Sequence, residues 1–246
     1  MLERLDYVRI SPRRILDAGS GPAREAKLLA RRYRGAQIVA LDFSFGMLEQ
    51  ARKGGWLQRS PVKAVCGDLV RLPLADACVD LVWCNMALHW ASDPAAVTRE
   101  FARVLAPEGL LLFSTLGPDS LRELRAAAGE ARVHEFVDMH DLGDLLVASG
   151  LSAPVMEMEM LAIRYPGPAG LLDDLRRTGQ TSARADRARG LSASGFRGRL
   201  QNALSTMSGS GFTSTYELVY GHAWRSAPRA AKPARGIVQF HPRSLS

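Results

Sequence analysis

The 246-residue chain has no apolar run long enough to span a bilayer. Its first residues, Met1-Leu2-Glu3-Arg4-Leu5-Asp6, hold no apolar signal-peptide core. Cysteine is scarce: Cys66, Cys78 and Cys84 form neither a C-x-x-C pair nor a metal-ligand spacing, so no disulfide framework and no metal site is expected. Buried free thiols in a reducing compartment are the expectation, with the chain a cytoplasmic monomer away from any membrane. Aromatics are only 7% of residues. No pattern of interleaved aromatics and no groove-reading motif accompanies the arginines, so nucleic acid is not an expected partner. Acid is the scarcer charge, 25 Asp and Glu against 32 Lys and Arg, for a net +7.

What is present is an ordinary globular composition, 47% hydrophobic and 23% charged, sufficient for one medium domain or a domain with an insertion. No internal repeat is visible. The positive charge is uneven. From Arg176 to Arg199 there are seven arginines and one acid, Asp186, and from Arg225 to Ser246 five Lys or Arg and no acid. Such runs are either solvated faces with a disordered tail or a docking surface for an acidic partner.

The chain is organised around Arg14-Ile15-Leu16-Asp17-Ala18-Gly19-Ser20-Gly21-Pro22-Ala23. This reads as an apolar strand that ends in an acid, breaks into a glycine turn and enters a helix from Arg24 to about Tyr33. In such a context backbone N–H groups come close to a small ligand. Arg24 stands where a dinucleotide fingerprint needs its third glycine, so that motif is not met. Gln37 to Asp42 is a second strand ending in an acid, and Asp42 lies 42 − 21 = 21 positions after Gly21. That is close to the roughly 20 expected of a carboxylate that takes a ribose diol. A third strand, Val62 to Val65, leads into Cys66-Gly67-Asp68-Leu69 and a third acid. Asp17-x-Gly-x-Gly, Asp42 and Gly67-Asp68 together resemble the S-adenosylmethionine site of class I methyltransferases.

The remaining order alternates, which predicts an α/β fold with a mostly parallel sheet. A helix runs from Phe45 to about Arg52, and Val79 to Cys84 is strand four. Asp93 is an N-cap with Pro94 at the first helical position. Leu105-Ala106-Pro107-Glu108-Gly109 stops that helix, and Leu110 to Ser114 is strand five. A helix from Asp141 to Ser149 precedes a sixth strand, Pro154 to Met160, and the last strand is Thr215 to Tyr220. The expected architecture is a Rossmann-like, seven-stranded, mostly parallel sheet with an antiparallel edge. Residues 1–166 form the core, 167–210 a helical Arg-rich cap inserted before the last strand, 211–224 that strand, and 225–246 a disordered basic tail.

The cofactor site implied by the resemblance comprises Asp17, Gly19, Ser20, Gly21, Asp42, Phe43, Met47, Asp68, Leu69 and Asn85. The methionine end would lie over the Gly19–Gly21 turn, the ribose diol would donate to Asp42, and adenine N6 to Asp68. Asp17 either contacts the cofactor or orients the turn, and Phe43 and Met47 either face the ring or belong to the core. Asn85-Met86-Ala87-Leu88-His89-Trp90 follows strand four without a nucleophile, base or metal set. His89 is either a general base or a half-buried support of the loop. An acceptor that is already anionic at pH 7, such as a carboxylate, needs no base, only orientation and a cation.

Further motifs narrow the resemblance. Phe113-Ser114-Thr115-Leu116-Gly117-Pro118-Asp119-Ser120-Leu121-Arg122-Glu123-Leu124, Asp138-Met139-His140-Asp141-Leu142-Gly143-Asp144 and Pro154-Val155-Met156-Glu157-Met158-Glu159 resemble the malonyl-acyl-carrier-protein O-methyltransferases of biotin synthesis. So do Asp174-Leu175-Arg176-Arg177-Thr178-Gly179 and Thr215-Tyr216-Glu217-Leu218-Val219-Tyr220-Gly221-His222-Ala223-Trp224. The resemblance implies methylation of the free carboxyl of a malonyl thioester on an acidic carrier protein; Arg122 and Arg176 are either candidates for holding that carboxylate or a phosphopantetheine phosphate, or arginines on exposed faces. Other readings are a methyltransferase of another small acceptor such as a quinone precursor, an assembly factor acting on a protein partner, or a remnant that binds cofactor alone. The family's N-terminal segment with a Tyr-Asp pair has no counterpart in the fourteen residues before Ile15, so a missing lid is expected. Thr178-Gly179-Gln180-Thr181-Ser182 also departs from the family's cap, which tends to end in Asn.

Overall fold

The computed structural model describes residues 1–53, 62–129, 132–180, 195–206 and 211–227. Seven strands form one sheet: β1 (Arg14–Ala18), β2 (Gln37–Asp42), β3 (Val62–Cys66), β4 (Val79–Asn85), β5 (Leu105–Leu116), β6 (Leu151–Tyr165) and β7 (Phe212–Arg225). Their order is β3-β2-β1-β4-β5-β7-β6. All ladders are parallel except those of β7, which runs antiparallel to both β5 and β6. Among the described residues seven helices connect them: α1 (Arg24–Arg32), α2 (Phe45–Lys53), α3 (Pro94–Val104), α4 (Arg122–Ala128), α5 (Met139–Ala148), α6 (Pro168–Arg177) and α7 (Phe196–Thr206). Among the described residues no helix is long and apolar enough to cross a membrane.

The central strands are apolar throughout because both faces of the sheet are covered. Alternation sends Leu16, Leu41, Val82 and Leu111 to one face, where Val97 and Phe101 of α3 and Leu142 and Leu146 of α5 meet them. Ile15, Ile38, Leu81, Trp83 and Leu112 take the other, against Ala26 and Leu29 of α1 and Leu5 of the N-terminal 3-10 turn. Each fully buried large side chain, such as Phe101, contributes roughly 1.5–3 kcal/mol. Helix α3 starts where its cap dictates, with the Asp93 carboxylate accepting from the Ala96 N–H at 2.9 Å.

Several boundaries differ from the sequence expectation. Strand β5 begins at Leu105 rather than Leu110. The chain leaves α3 directly into pairing with Val79, then bulges before Leu110 rejoins opposite Leu81. Glu108, at φ 62, sits in that bulge, and Pro107 is tolerated there because a bulged residue owes the ladder no hydrogen bond. Strands β6 and β7 are each far longer than expected and pair with each other along Leu151–Tyr165 and Phe212–Arg225. Because β5 stops at Leu116, opposite Leu218, the far half of this pair continues past the sheet as a two-stranded ribbon.

The ribbon carries the cap. Leu171, Leu175, Leu200 and Leu204 of α6 and α7 pack with Phe212, but also with Leu121, Leu124 and Val133 from the segment after β5. The cap's core therefore draws on two separate stretches of sequence. Arg225, expected in the tail, is the last residue of β7, and its guanidinium donates to the Ala102 carbonyl. The tail expectation for 228–246, and the cap expectation for 181–194 and 207–210, lie outside the described residues.

Within β7, Gly221 faces Phe113 of β5 on one side and Met156 of β6 on the other. A Cβ at Gly221 would lie 2.4 Å from the Phe113 ring and 2.8 Å from the Met156 sulfur. Gly221→Ala is therefore expected to destabilise the protein by about 1–3 kcal/mol through overpacking. Thermal denaturation should show the midpoint falling by several degrees, and an unchanged midpoint would remove this account of the glycine.

Candidate active site

The parallel order reverses at β1, whose neighbours are β2 on one side and β4 on the other. Connections leaving β1 and β4 diverge there and open a crevice at the carboxyl ends of the strands, where α/β sheets take their ligands. The chain crosses it as the Gly19–Gly21 turn, with φ 73 at Gly19. A Cβ at Gly19 would lie 2.2 Å from the Ala87 Cβ, so only glycine lets the turn lie against the loop after β4. The turn's own N–H groups are not left for a ligand. Those of Gly19 and Ser20 donate to the Leu41 carbonyl at 2.8 and 2.9 Å, and that of Gly21 donates to Asp42 Oδ2 at 2.7 Å. This corrects the expectation that they would meet a ligand carboxylate.

Asp42 also accepts from the Ser44 N–H through Oδ1, at 2.8 Å. Each oxygen thus takes one backbone bond and keeps a second lone pair for an incoming hydroxyl. Asp68 is exposed, and its Oδ1 accepts from the Val70 N–H at 3.1 Å. Phe43 is 78% exposed and Met47 38% exposed, so neither belongs to the core: both are apolar surface on the rim. Leu69 instead packs against the main core. Asn85 closes the other wall. Its Oδ1 accepts from Ser114 Oγ at 2.7 Å, and its amide reaches Glu25 Oε1 at 3.5 Å.

Asp17 is 2% exposed, and its Oδ2 has no hydrogen-bond partner. Burial, then the nearby charge of Glu25, push its carboxyl up to about 8, with Asp42 adding to the effect and the Ala26 N–H opposing it. His89 lies in a 3-10 turn two residues past Ala87. Burial and the neighbouring His134 push it down to about 4, so it is neutral at pH 7. Its Nδ1 is 3.4 Å from Thr115 Oγ1 and its Nε2 is buried without a partner.

His89 borders two small cavities, of about 40 and 30 Å³. The larger lies beneath the cap and is lined by Trp90, Arg132, His134, Phe136 and Gln180 among others. Arg122 and Arg176, the orientation candidates, do not line it. Both are exposed, Arg122 against Glu123 at 3.4 Å and Arg176 against Asp173 at 3.2 Å. Sequence reasoning passed over Arg132. It also passed over Glu217, which receives the Asp119 N–H at 2.8 Å, and Glu123, which receives the Thr215 N–H and hydroxyl at 3.0 and 2.6 Å. These two carboxylates fasten the turn after β5 to β7.

The sign of the Asp17 shift has a consequence for stability. Its folded pKa lies above the unfolded value near 4, so between about pH 4 and 8 the native state holds the extra proton. Stability contributed by this group is therefore lost as pH rises through that window. Asp17→Asn, which mimics the protonated form, should melt at least about 2–4 °C above the parent at pH 8 and no higher than it at pH 4. Parallel melting curves across that range would refute the raised pKa.

The sequence matches a family described as "Methyltransferase domain" over residues 16–113. Among solved structures, the YcgJ protein of Bacillus subtilis superposes with a TM-score of 0.67 at 18% identity, covering 92% of this chain and 97% of its own. Phosphoethanolamine N-methyltransferase 2 of Haemonchus contortus, in complex with S-adenosyl-L-methionine, gives 0.59 at 16% identity, covering 92% of this chain and 51% of its own. These likenesses establish the fold. Sequence relatives go further. The malonyl-[acyl-carrier protein] O-methyltransferase of Methylovorus sp. strain MP688 is 44% identical over 260 residues, covering 100% of this chain and 87% of the relative. That of Legionella pneumophila is 43% identical over 249 residues, covering 98% and 86%. The similarity runs through the cap and β7, beyond the reach of the domain match, and the chain belongs to the malonyl-[acyl-carrier protein] O-methyltransferase family.

Proposed function

We propose that this protein transfers the methyl group of S-adenosylmethionine to the free carboxylate of a malonyl thioester carried by an acyl carrier protein, as a step towards biotin. The observation that carries the reading is the near-full-length identity to proteins of that name.

The donor set of the crevice fits the cofactor. A ribose diol offers two hydroxyl donors, and Asp42 keeps a lone pair on each oxygen. Adenine N6 is a donor suited to the exposed carboxylate of Asp68, and Phe43 offers the ring an apolar face. Burial, with the charges of Glu25 and Asp42, raises the cost of ionising Asp17, and a cationic ligand would relieve the repulsive part. When bound, the cofactor supplies an electrophilic methyl: a carboxylate oxygen bonds to that carbon as the C–S bond breaks and its electron pair returns to sulfur. The protein's task is alignment and exclusion of water. No proton has to move, since the acceptor is ionised at pH 7. His89, pushed down to about 4, suits a hydrogen-bonding rather than a proton-abstracting role.

The acidic carrier would dock on the cap. Arg176 and Arg177 are exposed at the end of α6. Arg184, Arg187 and Arg189 of the same basic run lie outside the described residues.

Asp42→Ala should weaken S-adenosylmethionine binding by at least about 100-fold, since two charge-assisted hydrogen bonds are lost at roughly 1.5–3 kcal/mol each and the turn relaxes. Calorimetric titration giving equal affinities would sink the ribose assignment. In methylation assays, malonyl carrier protein should serve as acceptor and acetyl carrier protein should not. Raising salt should increase KM for the malonyl carrier more than for malonyl-coenzyme A, because exposed charges are screened over roughly 8 Å at physiological ionic strength. Salt-independent transfer would argue against docking by charge.

A further inference from the structure

We infer that the cavity between the cap and the end of β4 seats the acceptor's carboxylate, and that Arg132 is the cation that holds it. The inference rests on the malonyl reading above and gives that site its specificity residue.

Size comes first. The cavity is small, about 40 Å³, a scale suited to a group the size of a carboxylate. Charge comes second. The lining holds one permanent cation, Arg132, and no carboxylate among the described residues. Its other polar groups are imidazoles and the amide of Gln180, all able to donate. His89 brings an unpartnered buried Nε2 at the same wall.

Arg132 itself is pre-positioned. Its N–H donates to the Gly129 carbonyl at 3.1 Å, and the next residue, Val133, is buried in the cap's core. Its guanidinium lies 3.8 Å from the centroid of the Phe196 ring of α7, so the plane is held by stacking. Arg14, Arg32, Arg103, Arg122 and Arg176 are all engaged by carboxylates. No described carboxylate forms an ion pair with Arg132, which leaves its planar fork for a bidentate anion. Location is the third argument. His89 follows Ala87 by two residues, and Ala87 is the residue against which the Gly19 turn lies. The cavity thus opens beside the crevice assigned to the methyl donor. Arg132 is exposed, and a neutral acyl group offers its guanidinium no charge-assisted bond, which is how one site favours malonyl over acetyl.

The test separates this subsite from the reaction. Malonyl-pantetheine and acetyl-pantetheine are titrated calorimetrically into protein saturated with S-adenosylhomocysteine. The parent should bind the malonyl compound at least about tenfold tighter than the acetyl one. Arg132→Gln should lose about 10- to 100-fold of the malonyl affinity and most of that preference, with S-adenosylhomocysteine affinity within about twofold of the parent. Arg132→Lys keeps the charge but not the fork, so it should recover part of the preference and guards against misfolding of the glutamine variant. A preference that survives in Arg132→Gln, a parent that shows none, or a loss of S-adenosylhomocysteine binding equal to the loss of malonyl binding overturns the assignment. A parent that prefers malonyl-pantetheine yet methylates no malonyl thioester overturns the proposed reaction and leaves the subsite standing.

Discussion

The rim of this sheet depends on one close approach, the Gly19 turn against Ala87. With no Cβ at Gly19, the loop after β1 and the loop after β4 touch, and the Leu41 carbonyl can take both the Gly19 and Ser20 N–H groups. The Asp42 carboxylate then receives the Gly21 N–H, so the ends of β1 and β2 are joined by hydrogen bonds before any ligand arrives. That rigidity costs the turn its free N–H donors. It leaves the crevice to recognise a ligand through carboxylates and an apolar rim, which favours a molecule with cationic centres and hydroxyl donors over a phosphate.

The cap presents the complementary charge. Its apolar core is shared between α6, α7 and the segment after β5, and Glu217 and Glu123 tie that segment to β7. The groups that line the cavity under the cap are therefore set by contacts between residues far apart in sequence: Arg132 by Phe196, His89 by Phe136 and His134 through Trp90. The cofactor side is rigid and built on strand ends. The acceptor side is assembled across a helical layer that only tertiary packing brings together.

This division explains what the sequence made legible. β1 to β4, the start of α3 and the strand-end acids follow from local signals: apolar runs, a glycine turn, and an Asp-Pro cap. The length of β6 and β7 was not legible, because the Met–Glu alternation from 155 to 160 belongs to an edge strand exposed on both faces along part of its length. Nor was the start of β5, where a Pro-Glu-Gly sequence that reads as a stop is a bulge within a continuous strand. Arg122 and Arg176 stand out within motifs but meet neighbouring acids on the surface. Arg132 sits in no such motif. Its significance comes from a ring in α7 and from a cavity lining that holds no carboxylate among the described residues, neither of which is a local property.

Strand β6 is one of the two edges of the sheet, fifteen residues long, with Val155, Met158, Met160 and Leu161 all substantially exposed. An apolar edge of that length is a template for stacking one molecule on another. The chain guards it in three ways. The register shifts between Ser152 and Val155, Pro154 withholds a donor there, and Glu157, Glu159 and Arg164 interrupt the apolar run with charge. Glu157 is itself engaged by Arg4, so the N-terminal turn anchors one of these charges beside the edge. Charge along this flank opposes intermolecular strand pairing, so the edge is closed to a second copy by electrostatics as well as by shape.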